Sequence, residues 1–296
     1  MSDQRAKRPL TFAEVRGRFL HSAETRLRPG WGDEAVRFAQ ELWRLATGCE
    51  RSSLLAGNCP EAEPEQVEAF EQLVERAAKG ESLAYLEGSA GFFGLEFTVS
   101  PAVLVPRADS ECLVEWALEL ISAEDRAVVL DLGTGSGCLL LSILHHRSLA
   151  TGVGVDVCAQ ALKLAETNCQ QLGLESRCRL LHSDWYLDLG DTRFDLIISN
   201  PPYVQPNEET GFGVVEHEPH LALFTELGDP LEPYRRILSG AADHLFPGGG
   251  LLLEVGAGRA GQVADLGAAS GFEMEPARRD LGGIERVLYA CLPASS

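Results

Sequence analysis

Asn200-Pro201-Pro202-Tyr203 brings together residue types suited to holding a planar nitrogen nucleophile. Pro201 and Pro202 carry no backbone N–H, and a residue before proline is pushed toward extended geometry. The segment is therefore stiff and offers carbonyl oxygens free of competing donors. Asn200 adds a side-chain carbonyl, and Tyr203 adds an aromatic face that can stack on a flat group. An NH2 group, of an amide or of a base's exocyclic amine, would be oriented by two such acceptors. They would also stabilise the positive charge that grows on its nitrogen during attack on an electrophile. Taken alone, Asn-Pro-Pro-Tyr is equally an ordinary turn; residues upstream separate the two readings.

Val128-Val129-Leu130-Asp131-Leu132-Gly133-Thr134-Gly135-Ser136-Gly137 reads as a strand, a glycine-rich turn and a helix start. Glycines let a ligand lie against backbone, and a helix start offers unpaired N–H groups. The glycine spacing departs from the dinucleotide fingerprint, which would put its third glycine at Cys138. Asp131 would also sit poorly beside a pyrophosphate. It suits a cofactor with an ammonium group and no phosphate, which points to S-adenosylmethionine. Asp156 ends the next apolar run, where an acid can accept from both ribose hydroxyls. Asp184 and Trp185 follow the third, placed to accept from an adenine amine and to pack on its ring. Each signal is weak alone, since strand-end acids are common and Trp185 could be core. Four sites at successive strand ends together indicate a methyl-transfer site.

Stepping outward, the elements that would position these residues alternate. Strands fit 127–132, 151–157, 177–182, 194–199 and 249–255, with helices at 137–146, 158–172 and 230–245, the rhythm of a parallel, doubly wound sheet. Gly271 to Met274 and Ile284 to Cys291 read as a terminal antiparallel hairpin. The N-terminal part reads as a helical domain. Thr11 to Glu14 form a capping box ahead of Phe12, Val15 and Phe19. A helix over 33–46 turns Val36, Leu42 and Leu45 inward, a short one covers 52–55, and one from Pro64 buries Val67, Phe70, Val74 and Ala77. Residues 91–99 and 102–105 read as a linking hairpin split by Ser100-Pro101, and a helix runs from Pro106 to about Ser122. The expected division is a docking domain over 1–90, a linker over 91–108 and a catalytic domain over 109–296. Nothing in the helical part looks catalytic, so it is assigned to structure or to docking a partner.

Composition is that of a soluble globular protein, with 45% hydrophobic and 23% charged residues. With 44 acidic against 25 basic residues, a net charge of −19 argues against a large phosphate-binding face, so no sequence-specific nucleic-acid binding is expected. No apolar run reaches membrane-spanning length, and the start lacks a secretory h-region. Arg16, Arg18, Arg26 and Arg28 suggest a mitochondrial presequence, but the interspersed Asp3, Glu14 and Glu24 argue against one. The expectation is a cytoplasmic monomer. Eight cysteines without a Cys-x-x-Cys pair or zinc-ligand spacing read as reduced, mostly buried thiols, and no metal site is expected. His145-His146 reads as a helix end.

These motifs resemble the class I methyltransferases and specifically the HemK/PrmC family, over nearly the whole chain. Val214 to Pro219, Ala222-Leu223 and Asp280 to Val287 also have counterparts there. The resemblance implies an S-adenosylmethionine-dependent methyltransferase domain with a Rossmann-like seven-stranded sheet, a terminal antiparallel hairpin and a small N-terminal helical domain. It implies that Gly133 to Gly137, Asp156, Trp185 and Asn200 line the cofactor, and that Asn200, Pro201, Pro202 and Tyr203 hold the substrate. It also implies methylation of the side-chain nitrogen of the glutamine in the Gly-Gly-Gln loop of peptide-chain release factors, with S-adenosylhomocysteine as product. The chain departs from the family at Ala108 and Ser110, where proline and threonine are usual, and at Ser82, where proline is usual. The competing expectations are a ribosomal-protein glutamine methyltransferase, a base-flipping nucleic-acid amine (adenine N6) methyltransferase, or a non-catalytic binding module with the same fold.

Overall fold

The computed structural model of the chain describes residues 15–205, 208–225 and 229–293. They divide into two units: the chain up to Gly88 together with Thr210–His217, and Ser89–Glu209 together with Glu218 onward.

In the helical unit, a π-helical turn at Val15–Leu20 leads into α1, His21–Trp31. Helix α2, Ala35–Thr47, buries Ala35, Phe38, Ala39, Leu42 and Trp43, which share one face at spacings of three and four. It ends at Gly48 in left-handed geometry. After α3, Arg51–Ala56, helix α4 spans Pro64–Ala78, with proline in its first turn and a capping box between Glu63 and Gln66. Phe70 of α4 meets Trp43 of α2 edge to face at 5.1 Å. Helix α5, Leu83–Glu87, is capped by Ser82, whose Oγ accepts from the Tyr85 N–H at 3.3 Å, so serine does the capping where the family carries proline.

Thr210–His217 packs within this unit although it lies far away in sequence. Gly80 and Gly213 both have positive φ, +97° and +76°, and a Cβ on Gly213 would stand 1.9 Å from the Gly80 oxygen. Phe212 meets Trp31 edge to face at 5.5 Å, and His217 Nε2 donates to the Lys79 carbonyl at 2.9 Å.

The second unit begins with the hairpin β1, Ser89–Phe92, and β2, Leu95–Thr98. Then come α6, Glu111–Leu120; β3, Val128–Leu132; α7, Cys138–His146; β4, Thr151–Asp156; α8, Ala159–Gln171; β5, Cys178–His182; β6, Phe194–Ser199; α9, Glu232–His244; and β7, Leu245–Glu254. The unit closes with α10, Ala260–Ala269; β8, Glu273–Met274; β9, Arg278–Arg279; and β10, Glu285–Cys291. The sheet order is β5-β4-β3-β6-β7-β10-β8, with short β9 also paired to β10. Strands β3 to β7 run parallel, and β10 is antiparallel to both β7 and β8, as the terminal hairpin reading required. Val129, Leu196 and Ile198 bury against α6, α7 and α8, while Leu130, Ile197 and Leu251 bury against α9 and α10. Both sheet faces are therefore covered, which explains why these strands are continuous apolar runs.

Several expectations change. The capping box at Thr11 and residue Phe12 lie outside the described residues. Helix α1 continues through Pro29-Gly30, residues that would ordinarily end a helix. Val36 is 41% exposed, the inward face being that of Ala35 and Phe38. Residues 102–105 are not a strand: Val103 and Val105 are buried, but the Val103 N–H bonds locally to the Ser100 oxygen, and the hairpin turns at Phe93-Gly94 instead. Helix α10 has no clear signal in sequence, because its glycines obscure the spacing of its buried Ala260, Val263 and Gly267. Cys49 and Cys59 form a disulfide, which corrects the expectation that all cysteines are thiols.

Gly213→Ala is expected to lower stability by about 1–3 kcal/mol, combining backbone strain with overpacking against Gly80. Gly91→Ala, where a Cβ would meet nothing within 4 Å, should be near neutral. Thermal unfolding of the two variants beside the wild type checks this contrast.

Candidate active site

A cavity of about 570 Å³ lies within the second unit, lined from the carboxyl ends of β3, β4, β5 and β6. It sits where the strand order reverses between β3 and β6, the position at which open α/β sheets bind ligands. Gly133, Gly135 and Gly137 hold φ of +73°, +56° and +82°, values that side chains resist, and the N–H groups of Gly133 and Thr134 both bond the Val155 oxygen at 2.9 Å. This pins the turn to the neighbouring strand and leaves Gly133, Thr134, Gly135 and Ser136 on the cavity wall.

Asp131 is fully buried just behind that turn. Its Oδ2 accepts from Thr134 Oγ1 at 2.7 Å, and its Oδ1 has no partner. Burial pushes its carboxyl up to about 7, opposed by the Thr134 bond and reinforced by the charge of Asp156. Asp156, at the end of β4, accepts from the Gly135 N–H at 2.9 Å and the Cys158 N–H at 2.8 Å. Burial raises it too, against those bonds.

Beyond β5, Ser183 Oγ donates to the Trp185 carbonyl at 3.0 Å and accepts from the Asp188 N–H at 3.1 Å. These bonds hold Trp185 at a φ of +53°, an unusual backbone for a bulky residue. The Asp184 carboxylate is engaged by Arg236 of α9 at 2.6 Å, and the same guanidinium lies 5.8 Å from the centre of the Trp185 ring. Asp184, Trp185 and Arg236 all line the cavity.

Strand β6 delivers Asn200, Pro201 and Pro202 to the opposite wall. Asn200 Nδ2 donates to Ser110 Oγ at 3.4 Å, and Ser199 Oγ donates to the Leu132 carbonyl at 2.7 Å. Tyr203 turns behind the loop, its hydroxyl 3.5 Å from Oε1 of Glu254, and burial raises its pKa. Val204 forms a parallel bridge to Phe224, and Arg107 pairs at 2.5 Å with buried Glu218. The loop is held at both ends.

Ten of the residues singled out from sequence thus share the cavity: Gly133, Thr134, Gly135, Ser136, Asp156, Asp184, Trp185, Asn200, Pro201 and Pro202. Asp131, Gly137 and Tyr203 stand outside its lining. Ser110, Glu254, Arg236 and the Arg107–Glu218 pair are not among the site residues expected from sequence, although Ser110 and Glu218 fall in segments compared with the family. Glu254 had the same signal as Asp131, an acid closing an apolar run, here Leu251-Leu252-Leu253; Arg236 carried no local signal. Among the described residues there is no cluster of histidine, cysteine or acidic side chains able to hold a metal, and no helix is long and apolar enough to cross a membrane.

Residues 19–88 match the PrmC N-terminal domain, and residues 110–217 match the methyltransferase small domain. The release factor glutamine methyltransferase of Cereibacter sphaeroides is 39% identical over 278 residues, covering 93% of this chain and 98% of the relative. That of Bordetella pertussis is 40% identical over 251 residues, covering 84% and 92%. In structure, a methyltransferase from Pyrococcus furiosus superimposes with a TM-score of 0.53 at 19% identity, over 76% of this chain and all of the other, a likeness of fold.

The folded state holds the Asp131 proton up to about pH 7, whereas the unfolded chain releases it near the ordinary aspartate value. Over that window the folded protein binds more protons, so this group's burial costs increasing stability as pH rises. Asp131→Asn should therefore gain melting temperature relative to the wild type between pH 5 and pH 8, measured calorimetrically without ligand.

Proposed function

The chain belongs to the release factor glutamine methyltransferase family, and on that premise we propose that it transfers the methyl group of S-adenosylmethionine to the side-chain amide nitrogen (N5) of the glutamine in the Gly-Gly-Gln motif of peptide-chain release factors. The observation that carries this reading is that Asn200, Pro201 and Pro202 line one cavity with the glycine turn, Asp156 and Trp185. Work on translation factors implies a cytoplasmic enzyme, and the helical unit is the proposed docking element for the release factor.

The residues present fit the cofactor. Asp131 is buried behind the glycine turn rather than on the cavity wall, so its carboxyl would favour a cationic ammonium group at that turn by charge rather than by contact, and such a cation would draw it back toward its ionised form. Each Asp156 oxygen accepts one backbone N–H and keeps lone pairs for the ribose hydroxyls. Trp185 offers a ring to the adenine, while Asp184, shared with Arg236, retains acceptor capacity for its amine. When bound, S-adenosylmethionine supplies an electrophilic methyl group on a sulfonium.

A glutamine amide nitrogen is a poor nucleophile because its lone pair is shared with the carbonyl. The Nδ2 end of Asn200 is taken by Ser110, so Oδ1 is the end left for the substrate. Together with the Pro201 carbonyl it accepts both hydrogens of the substrate NH2, turning the nitrogen lone pair out of conjugation and stabilising the positive charge that develops. Tyr203, behind the loop, supports it rather than touching the amide.

Mass spectrometry of the Gly-Gly-Gln peptide, after incubating the protein with labelled S-adenosylmethionine and unmethylated release factor, should find one added methyl on the glutamine. Label in DNA or ribosomal protein with none in the release factor would replace the substrate assignment. Asn200→Ala should lower kcat by roughly 10²-fold or more, the scale of losing one charge-stabilising partner; near-normal turnover would remove the acceptor mechanism.

A further inference from the structure

Glu254 takes no part in the mechanism above, yet it stands beside the residue that does most in it. Strand β7 ends at Glu254, directly after Leu253, which pairs in parallel register with Ser199 of β6. The next residue along β6 is Asn200. The Glu254 side chain is 2% exposed, and its Oε2 is a buried oxygen without a hydrogen-bond partner. Its surroundings come from every neighbouring element. Asp109, Ser110 and Cys112 belong to the turn into α6 and the start of that helix; Tyr203 follows β6; Arg286 lies on β10; Cys138 opens α7; and Tyr234 of α9 donates to the Glu254 backbone oxygen at 3.0 Å. Arg286 is bonded to Asp109 at 2.9 Å and Asp280 at 2.7 Å, so its charge is divided. The Ser110 hydroxyl accepts from Asn200 Nδ2 at 3.4 Å and, as a hydrogen-bonding neighbour of the carboxyl, favours the ionised form of Glu254.

We propose that Glu254, acting through the Ser110 hydroxyl, is a positioning residue that keeps the oxygen of the Asn200 side chain, rather than its NH2, turned toward the methyl acceptor. The inference rests on the reading of Asn200 as the amide acceptor.

A serine hydroxyl has one hydrogen to donate and lone pairs with which to accept. An ionised carboxylate only accepts, so Ser110 beside it donates to Glu254. What remains for Asn200 is the lone pairs of Oγ, which only the NH2 end of the amide can use, and the observed contact is Nδ2 to Oγ. Oδ1 is thereby directed away from Ser110. Protonation of Glu254 lifts this constraint: the acid donates to Ser110, and the hydroxyl hydrogen becomes available to Asn200 Oδ1, the atom the substrate needs. Burial and the charge of Asp109 oppose ionisation, and Ser110, Arg286 and Tyr203 favour it; the balance holds the carboxyl at about 7. The ionised form is therefore the competent one, and turnover should rise with pH through that value.

The test uses the full chain with S-adenosylmethionine and unmethylated release factor. In the wild type, kcat is expected to climb between pH 6 and 8. Glu254→Gln should lower kcat at pH 8 by roughly 10- to 100-fold, the scale of a misoriented reacting group. It should also abolish the rise with pH while leaving the KM for S-adenosylmethionine as in the wild type. Ser110→Ala should reproduce the loss, and Ser110→Thr, which restores the hydroxyl, should recover most of it. A second readout needs no substrate. The side-chain amide resonance of Asn200, assigned by its disappearance in Asn200→Ala, should move with pH near 7 in the wild type and stay still in Glu254→Gln. A resonance that is flat in the wild type, or that titrates equally in Glu254→Gln, overturns the proposal. Titration in a protein that leaves release factor unmethylated supports it and overturns the proposed function alone.

Discussion

Parallel pairing of β6 with β3 on one side and β7 on the other sets Ser199 beside both Leu132 and Leu253. The residues that follow on the three strands, Gly133, Asn200 and Glu254, therefore emerge at one level of the sheet edge. Side chains in a strand alternate between faces, so a slip of one residue in β6 would exchange Ile197 and Ile198 between the two cores. Burial on both faces makes such a slip costly. The same apolar packing that stabilises the sheet thus fixes where the acceptor loop begins. The Ser199 hydroxyl, bonded to the Leu132 carbonyl where the ladder ends, adds a directional lock to a non-directional one.

Three carboxyls, Asp131, Asp156 and Glu254, are buried at this edge, and burial raises the pKa of all three. Each is set against donors rather than against a buried cation alone: a threonine hydroxyl for Asp131, two backbone N–H groups for Asp156, and serine and tyrosine hydroxyls for Glu254. Neutral donors stabilise a carboxylate without cancelling its charge, which leaves the site able to attract a cationic ligand. Such an arrangement opposes folding when empty. The surrounding core of fully buried leucine and isoleucine on both faces supplies the opposing term.

How much of this could be read from the chain follows from how local each feature is. The positions of Asp156 and Asn200 on the cavity wall were legible because a strand end, a turn residue and the next element lie within a few positions, and short-range sterics decide where each residue emerges; Asp131, on the same signal, lies behind the wall. The directions of Asp184 and Tyr203 were not, since their partners, Arg236 and Glu254, lie 52 and 51 residues away on elements whose adjacency only the tertiary fold creates. The disulfide between Cys49 and Cys59 carries no diagnostic spacing. Helices α1 and α10 hide behind Pro29-Gly30 and Gly258 to Gly261, residues that usually end helices and here sit inside or beside them because tertiary burial of Leu27 and Val263 outweighs propensity. Val103 and Val105 mislead in the opposite way, being apolar and buried yet lying outside any strand.

On the proposed reading of Asn200 and Pro201 as acceptors, the site would have no need of a strong base. A methylated amide nitrogen that still carries both hydrogens is a very strong acid, so once the new bond forms its proton leaves readily to water. On the same reading the demand falls on access to the nitrogen lone pair, which two fixed acceptors would address directly. The carboxyls near the cavity are committed elsewhere: Asp156 to backbone, Asp184 to Arg236, and Glu254 behind Ser110. On the proposed reading, a free general base beside Asn200 would compete with Oδ1 for the same NH2 hydrogens and loosen the orientation on which the rate depends. A wall built from one amide oxygen and proline carbonyls avoids that competition, since prolines bring acceptors without N–H donors.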